Sequence, residues 1–292
     1  MARHLPLIFL SLAALVGSTD AFAKPPPPKK PTAAEKAAAE KAAKEKAEAE
    51  AAIDPFEDPL KTYRFIGLRY RDAVAPKFLV NAFAQGGRTV NIPMVGPELT
   101  SRRDNLEFDL AVMYADWTMG PTLFAGKNAG LTDMELVQSG LRQIMITLDL
   151  LYEIPLEKKD GRVGRFSLLV GGGVGLGFVF GPLYRVQAYP KAGNNGSNLD
   201  ASQWAPCVNA ATNAVYCANP NDHYTNGGTA VNGPNAYTEP GWGNGYKPYL
   251  FPWLALPQVS FRYKPLKQLQ LRADLGFSTA GFYFGFAAGY GL

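Results

Sequence analysis

The side chains of this chain that could do acid–base chemistry are carboxylates at alternating positions. Glu107 and Asp109 lie two residues apart, and Asp149 and Glu153 lie four apart. Two carboxylates can share acid and base roles when their environments separate their pKa values. Here each carboxylate alternates with large apolar residues, and arginines occupy equivalent positions in other segments. We therefore expect structural ion pairs and predict no enzymatic activity.

Two further features of the sequence have the residue types of a catalytic or a nucleotide site. Hydrolytic centres need a positioned base, usually a histidine with partners, and His223 stands alone in a long polar segment. The glycine-rich run from Gly171 resembles a phosphate-binding loop, but Leu176 replaces the last glycine of the GxGxxG pattern and no GK[ST] follows. We predict an ordinary surface histidine, no nucleotide site and no cofactor.

The two cysteines, Cys207 and Cys217, are close in sequence within a polar segment. In an exported protein such a pair is expected to form a disulfide, and a metal site built on these cysteines lacks further ligands. The formal net charge is only +4 for 292 residues, with bases and acids interspersed. Nucleic-acid binding therefore has no electrostatic basis.

The C-terminal stretch shows how these side chains would be positioned. Its large apolar residues fall at even positions, and small residues fill the gaps: Phe282, Phe284, Phe286, Tyr290 and Leu292 against Gly285, Ala287, Gly289 and Gly291. A period of two indicates a β-strand. Because no later segment covers its aromatic face, lipid is the expected cover.

The same alternation recurs along the chain and predicts strands at 62–70, 88–96, 106–114, 142–154, 166–180, 249–263, 269–277 and 282–292. Strand 88–96 is the weakest because of Pro93, but an even number is needed to keep both ends of the barrel on one side. We expect Val90, Ile92 and Met94, and also Trp253, to face outward. The predicted fold is all-β, an eight-stranded antiparallel transmembrane up-and-down β-barrel over residues 61–292.

The N-terminal 60 residues are predicted to contain an export signal followed by a spacer. Residues 1–23 combine a basic start, an apolar run and the small-x-small site Ala21-Phe22-Ala23, which indicates a signal peptide. Residues 24–60 form a Pro-rich and Ala/Lys/Glu-rich periplasmic tether, with a solvated helix predicted over 32–53. The alternative is that this helix contacts peptidoglycan or a periplasmic protein.

Signal peptide, eight strands and an aromatic last strand resemble the small outer-membrane barrels of the OmpA, OmpX and OmpW type over residues 62–292. The resemblance implies the outer membrane of a Gram-negative bacterium, outer-membrane lipid as surroundings, and assembly by the outer-membrane insertion machinery. Two departures are Leu292 where that family usually ends in Phe, and the lack of a peptidoglycan-binding domain after the barrel.

Positions that alternate with the lipid face would line the barrel lumen. They carry both signs of charge in near balance: Arg69, Arg71, Glu107, Asp109, Asp149, Glu153, Arg262, Arg272 and Asp274. Eight strands leave an interior just wide enough for side chains, so we expect a plugged, ion-paired lumen rather than an open ion path. The glycine row at 171, 173, 175 and 177 would make room for opposing Arg or Tyr side chains.

Function is therefore expected in the outer loops, above all in the long loop 181–245. It is rich in Asn, Gly, Tyr and Pro, and Trp204 and Trp242 suit recognition of sugars or protein surfaces. Segment 76–83 could form a short amphipathic helix, either on the membrane surface or in the barrel mouth. Two alternatives stay open: a variable loop without a dedicated ligand, and a narrow channel for small or hydrophobic solutes.

Overall fold

The computed structural model describes residues 36–38, 40–46, 54–208, 212–217, 237–242 and 247–292, in two units, Met1–Ala47 and Glu48–Leu292. In the first unit, residues 36–38 and 40–46 are helical, within the predicted tether helix. The predicted signal peptide, the rest of that helix and His223 lie outside the described residues. In the described part of the chain, no helix is long and apolar enough to cross a membrane.

Eight long antiparallel strands close into a barrel in the second unit. They are β1 (Tyr63–Ala75), β2 (Val90–Arg103), β3 (Leu106–Gly126), β4 (Glu135–Pro155), β5 (Phe166–Phe180), β6 (Leu250–Leu266), β7 (Leu269–Ser278) and β8 (Gly281–Gly291). Each pairs with its neighbours in sequence, and β8 returns to β1, with Phe65 opposite Gly291 and Val74 opposite Phe282. The predicted eight-stranded up-and-down barrel is confirmed.

The two ends of the barrel differ in their connections. At the short-turn end, β2 and β3 are joined through Asp104 and Asn105, both with positive φ, and β6 and β7 join as tightly. The β4–β5 connection there contains a hairpin of Lys158–Lys159 and Arg162–Val163. The long-loop end carries helix α1 (Lys77–Phe83), and the short strands and 3-10 turns Ala84–Gly86, Leu131–Asp133, Leu183–Pro190, Ala201–Gln203, Trp204–Pro206 and Tyr237–Thr238.

A belt of exposed apolar side chains surrounds the barrel. On β4, Ile146, Leu148 and Leu150 are exposed, whereas the alternating Thr147 and Asp149 are buried. The other strands repeat this pattern, for example with Leu68, Phe108, Phe261 and Phe284 outside. So large an apolar surface is unfavourable in water and matches the lipid-facing band of a transmembrane barrel.

Three expectations about segments and faces were wrong. The segment between the predicted strands 106–114 and 142–154 is mostly strand rather than loop, because β3 and β4 continue their pairing beyond the belt to Phe124 and Glu135. Val90, Ile92 and Met94 face the lumen rather than the lipid, since Ile92 and Met94 are buried in the cluster that contains Met113 and Met145, and Val90 packs against it. An apolar side chain was therefore no marker of the lipid face on β2.

Trp253 also faces the lumen, because β6 contains a register shift between Ala255 and Gln258 against both of its neighbours. Before this bulge, Leu254 and Leu256 face outward, and after it the outward positions are Val259 and Phe261. A bulge inserts an unpaired residue and changes which side chains share a face, so strict alternation across residues 249–263 gave the wrong side for Trp253.

The apolar belt predicts a strong depth dependence of charge insertion. Leu148→Arg, at the middle of the exposed face of β4, should lower the free energy of unfolding by about 2–4 kcal/mol. Leu156→Arg, in an exposed position beyond the short-turn end of β4, should cost about 0–1 kcal/mol. Urea unfolding of both variants refolded into lipid vesicles measures this difference, and equal costs would contradict a lipid-facing belt.

Candidate functional site

The half of the lumen nearest the short-turn end is filled by charged side chains. All nine charged residues expected to line the lumen are buried there, none more than 4% exposed. Arg69 contacts Asp149 at 2.9 Å, Asp109 at 3.3 Å, and Glu98. Because these partners come from three different strands, one guanidinium joins β1 to β2, β3 and β4 across the interior.

Arg272 of β7 forms the second centre of this cluster. Its guanidinium lies 2.8 Å from Glu98, 2.9 Å from Glu107 and 2.9 Å from Asp274. Arg262 of β6 lies 2.7 Å from Glu107 and also pairs with Glu153. Each carboxylate thus receives more than one cation, which offsets the cost of removing these charges from water.

Sequence reasoning missed four members of this cluster: Glu57, Glu98, Arg102 and Lys264. Glu98 and Arg102 fall between the predicted strands 88–96 and 106–114, but β2 continues through both to Arg103. Both residues lie an even number of positions from Met94, so in a continuous strand all three share one face. This signal was not used because Met94 was predicted to face outward. With them, the lumen charge network comprises Glu57, Arg69, Arg71, Glu98, Arg102, Glu107, Asp109, Asp149, Glu153, Arg262, Lys264, Arg272 and Asp274.

Residues 54–58, named here the N-terminal clasp, close the short-turn end. Glu57 forms a two-way β-bridge with Val163, at 2.9 and 2.8 Å, and its carboxylate pairs with Arg102 and Lys264. Asp54 accepts a hydrogen bond from Arg162 at 2.7 Å. Burial opposes ionisation of Glu57, but the charges of Arg102 and Lys264 outweigh it, so the pKa of Glu57 lies below its ordinary value.

The glycine row of β5 makes room for side chains of the adjacent strand. A Cβ at Gly173 would collide with the carboxylate of Asp149, and one at Gly177 would collide with the amide of Gln143. Both of these residues belong to β4. The glycines therefore accommodate neighbours on the next strand, not arginines or tyrosines from across the barrel as expected.

The half of the lumen nearest the long-loop end is mostly apolar. Ile92, Met94, Met113, Met145 and Trp253 form its core and are each at most 2% exposed. Methionine fills irregular space well because its side chain is flexible. The two halves of the lumen are thus filled differently, one by charge and one by packing.

Arg71 marks the boundary between these two halves. It lies 2.8 Å from Asp149, and its guanidinium carbon is 4.5 Å from the ring centroid of Tyr283 and 5.6 Å from that of Trp253. The Tyr283 hydroxyl donates to Gln258 at 2.8 Å. A cation between two rings is stabilised by their electron-rich faces, so Arg71 connects the charged network to the apolar core.

The outer connections form a folded layer around a second core of buried apolar residues: Leu123, Ala125, Met134, Leu136, Val186, Ala188 and Trp204. Strand Leu183–Pro190 pairs with β4 and with Trp204–Pro206, and the predicted disulfide between Cys207 and Cys217 is present. Trp204 is 2% exposed, and its indole N–H donates to Asn198. Trp204 therefore packs this layer, whereas Trp242 is 52% exposed.

The predicted amphipathic helix over 76–83 is present as α1, with Phe78 and Phe83 exposed and no residue of the helix buried. It therefore lies at the rim of the barrel and does not fill the mouth. Among the described residues, no group of three or more His, Cys, Asp or Glu side chains is arranged to hold a metal ion.

Fold and site together define a transmembrane eight-stranded β-barrel with a filled lumen. The crystal structure of Neisserial surface protein A (NspA) is similar to it, covering 80% of this chain and 98% of that chain, at 7% sequence identity and a TM-score of 0.37. No protein-family model and no curated protein matches the chain. The fold is therefore established by the pairing of its own strands.

Removing one cation from the lumen charge network should be costly. Arg272→Met leaves Glu98, Glu107 and Asp274 with fewer cations, and the loss of a buried partner typically costs about 3–5 kcal/mol. Arg165→Met removes the same charge from an exposed position at the short-turn end and should cost well under about 1 kcal/mol. Urea unfolding in vesicles compares the two, and equal stabilities would contradict the role of the network.

The clasp should respond to pH with a defined sign. Because folding lowers the pKa of Glu57 below 4.5, its ion pairs add stability that is fully present above that pH. This stability is lost as the pH falls through the lower, folded-state pKa. Glu57→Gln should therefore be less stable than the unaltered chain near neutral pH, and the difference in free energy of unfolding should shrink below about pH 4.5.

A matched control for this pH experiment is Asp104→Asn, which removes an exposed carboxylate at the same end. The free energy of unfolding of this variant should differ little from that of the unaltered chain at every pH, because an exposed ion pair contributes little to stability. A Glu57→Gln difference that grew as the pH fell would contradict the ion-paired clasp.

Proposed function

We propose that this chain is a non-enzymatic outer-membrane β-barrel of a Gram-negative bacterium, with a plugged lumen and an outer layer that recognises a ligand or partner. The observation that carries the proposal is the filling of the lumen along its length. The clasp and the charge network occupy the short-turn half, and the Met-rich core occupies the other half. The short-turn end would then be periplasmic and the long-loop end external.

The membrane assignment is supported by the belt and by the last strand. A closed barrel leaves no unpaired backbone edge, which is the condition for crossing lipid with strands. On β8, Phe282, Phe284 and Phe286 are exposed in one row. Such a row suits outer-membrane lipid as its surroundings and the outer-membrane insertion machinery as its assembly partner.

The plugged state is supported by the balance of charge inside the barrel. Cations and carboxylates of the network are nearly equal in number and directly paired, so it presents no continuous row of one sign along which an ion would move. Charges in a site screened from water are retained when each is paired. Their role is then to fix the eight strands against one another.

Recognition is assigned to the outer layer because its walls are packed and partly cross-linked, which reduces the entropy lost on binding. Of the two tryptophans in this layer, Trp242 is exposed and available for contact, whereas Trp204 is buried and supports the layer from inside. For the Ala/Lys/Glu-rich segment we keep the proposal of a solvated tether, with peptidoglycan or a periplasmic protein as the alternative partner.

A narrow channel remains the second candidate, and one observation favours it. Within the described residues, Nε and Nη1 of Arg71 and the indole N–H of Trp253 are buried without hydrogen-bond partners. These N–H groups, at the boundary of the two lumen halves, could donate hydrogen bonds to a polar solute that passes through the barrel. This candidate requires the Met-rich core to open.

Single-channel recording separates the two candidates. The chain without residues 1–23, refolded and inserted into a planar bilayer, should give no conductance steps at any of several voltages. Insertion is checked on parallel vesicles by protease protection of the barrel. Stable, reproducible steps from inserted protein would overturn the plugged barrel and favour the channel.

A further inference from the structure

The external end of the barrel carries a cavity of about 460 Å³ that none of the preceding roles uses. It lies between the connection that follows β1, the extension of β3 and the segment 198–201: Lys77, Gly87, Arg88, Thr89, Pro121, Thr122, Leu123, Asn198, Leu199, Asp200 and Ala201. We propose that this cavity binds a sugar unit bearing a phosphate or carboxylate group. This inference rests on the proposed function, because it needs this end of the barrel to face the exterior.

The first wall of the cavity is held by backbone hydrogen bonds. The backbone N–H of Gly87 donates to the Leu123 carbonyl at 2.7 Å, and that of Lys77 donates to the Thr89 hydroxyl at 3.2 Å. Gly86 and Gly87 have φ values of +78° and +71°, which glycine adopts without strain. These contacts fix Lys77 and Arg88 beside the β3 extension.

The opposite wall is held just as firmly. The Asn198 carbonyl accepts from the indole of Trp204 at 2.7 Å and from the Asn194 side chain at 3.0 Å. The Asp200 carboxylate accepts from the backbone N–H of Ser202 at 2.8 Å. Because Trp204 belongs to the buried core of the outer layer, this wall is anchored before any ligand arrives, so little ordering cost is paid on binding.

The charges of the cavity select the ligand class. Within the described part of the chain, no carboxylate oxygen lies within 4.0 Å of a side-chain nitrogen of Lys77 or Arg88, so neither residue forms an ion pair. Both side chains are exposed. Two cations left without close partners suit a phosphate or carboxylate group. Asp200 stands opposite them, and the hydrogen bonds from Ser202, together with the charge of Lys77, hold its pKa below the ordinary value.

The remaining lining groups point to a sugar rather than to a bare anion. An ionised Asp200 would repel a simple anion but accepts hydrogen bonds from hydroxyl groups, as does the side chain of Asn198. Leu199 and Pro121 supply apolar contact for a sugar ring. A volume of about 460 Å³ also lies within the range of small-molecule sites.

Isothermal titration calorimetry on the refolded chain without residues 1–23 tests this proposal. The probes are glucose 6-phosphate, glucuronate, glucose and inorganic phosphate. At least one of the two acidic sugars should bind, and both glucose and inorganic phosphate should bind at least about tenfold more weakly, a difference of about 1.4 kcal/mol.

Variants assign the binding to the cavity. Lys77→Gln/Arg88→Gln should reduce the affinity for the acidic sugar at least about tenfold. The matched control Lys158→Gln/Arg165→Gln removes two exposed charges at the other end of the barrel and should bind as the unaltered chain does. Asp200→Asn, which keeps the hydrogen-bond acceptor for Ser202, should narrow the preference for the sugar over inorganic phosphate.

Three results would overturn the proposal: no binding of either acidic sugar, binding unaffected by Lys77→Gln/Arg88→Gln, or inorganic phosphate binding as tightly as the sugars. Urea unfolding of each variant shows whether the barrel is intact. An intact, electrically silent barrel without acidic-sugar binding would refute the cavity assignment and leave the plugged outer-membrane barrel standing. Conductance steps from a chain that binds the acidic sugar would refute the plugged barrel and leave the cavity assignment standing.

Discussion

Pairing of buried charges across the lumen is the interaction on which the rest of this structure depends. A barrel in lipid turns half of each strand's side chains inward, where an unpaired charge costs several kcal/mol. Arg69 and Arg272 together reach partners on β2, β3, β4 and β7. The strands that contribute no charge, β5 and β8, contribute glycines, and on β5 the glycine at 173 makes room for Asp149. On β5 a small residue is thus required beside a charged residue of β4.

The two halves of the lumen are occupied by different types of side chain. Near the short-turn end the interior is ionic and is completed by Glu57, which arrives from outside the strands. Near the long-loop end the interior is mostly apolar and relies on Met94, Met113 and Met145 with Trp253. Arg71 joins the halves through one carboxylate and two aromatic rings. The lumen is therefore occupied by side chains in both halves, which is why the proposed recognition is placed at the long-loop end.

The outer layer at the long-loop end is a continuation of the barrel rather than a separate domain. β3 and β4 remain paired beyond the lipid belt, with a register shift between Met119 and Thr122, and Leu183–Pro190 adds to the edge of β4. The cavity at the long-loop end is lined by residues of the β3 extension and by a segment that is hydrogen-bonded to Trp204. A site presented on such a scaffold needs little reorganisation to bind.

The sequence by itself determined the strand number, the lipid belt, the disulfide and nine of the charges found in the lumen. Each of these follows from local alternation or local spacing. The sequence could not decide the face of Ile92 and Met94, the register shift that turns Trp253 inward, or the entry of Glu57 into the network. Nor could it show that Trp204 is buried or that Lys77 and Asp200 share a cavity. These features were decided only by tertiary structure, because they depend on contacts between residues far apart in sequence. Glu57 and Lys264, for example, meet across 207 positions.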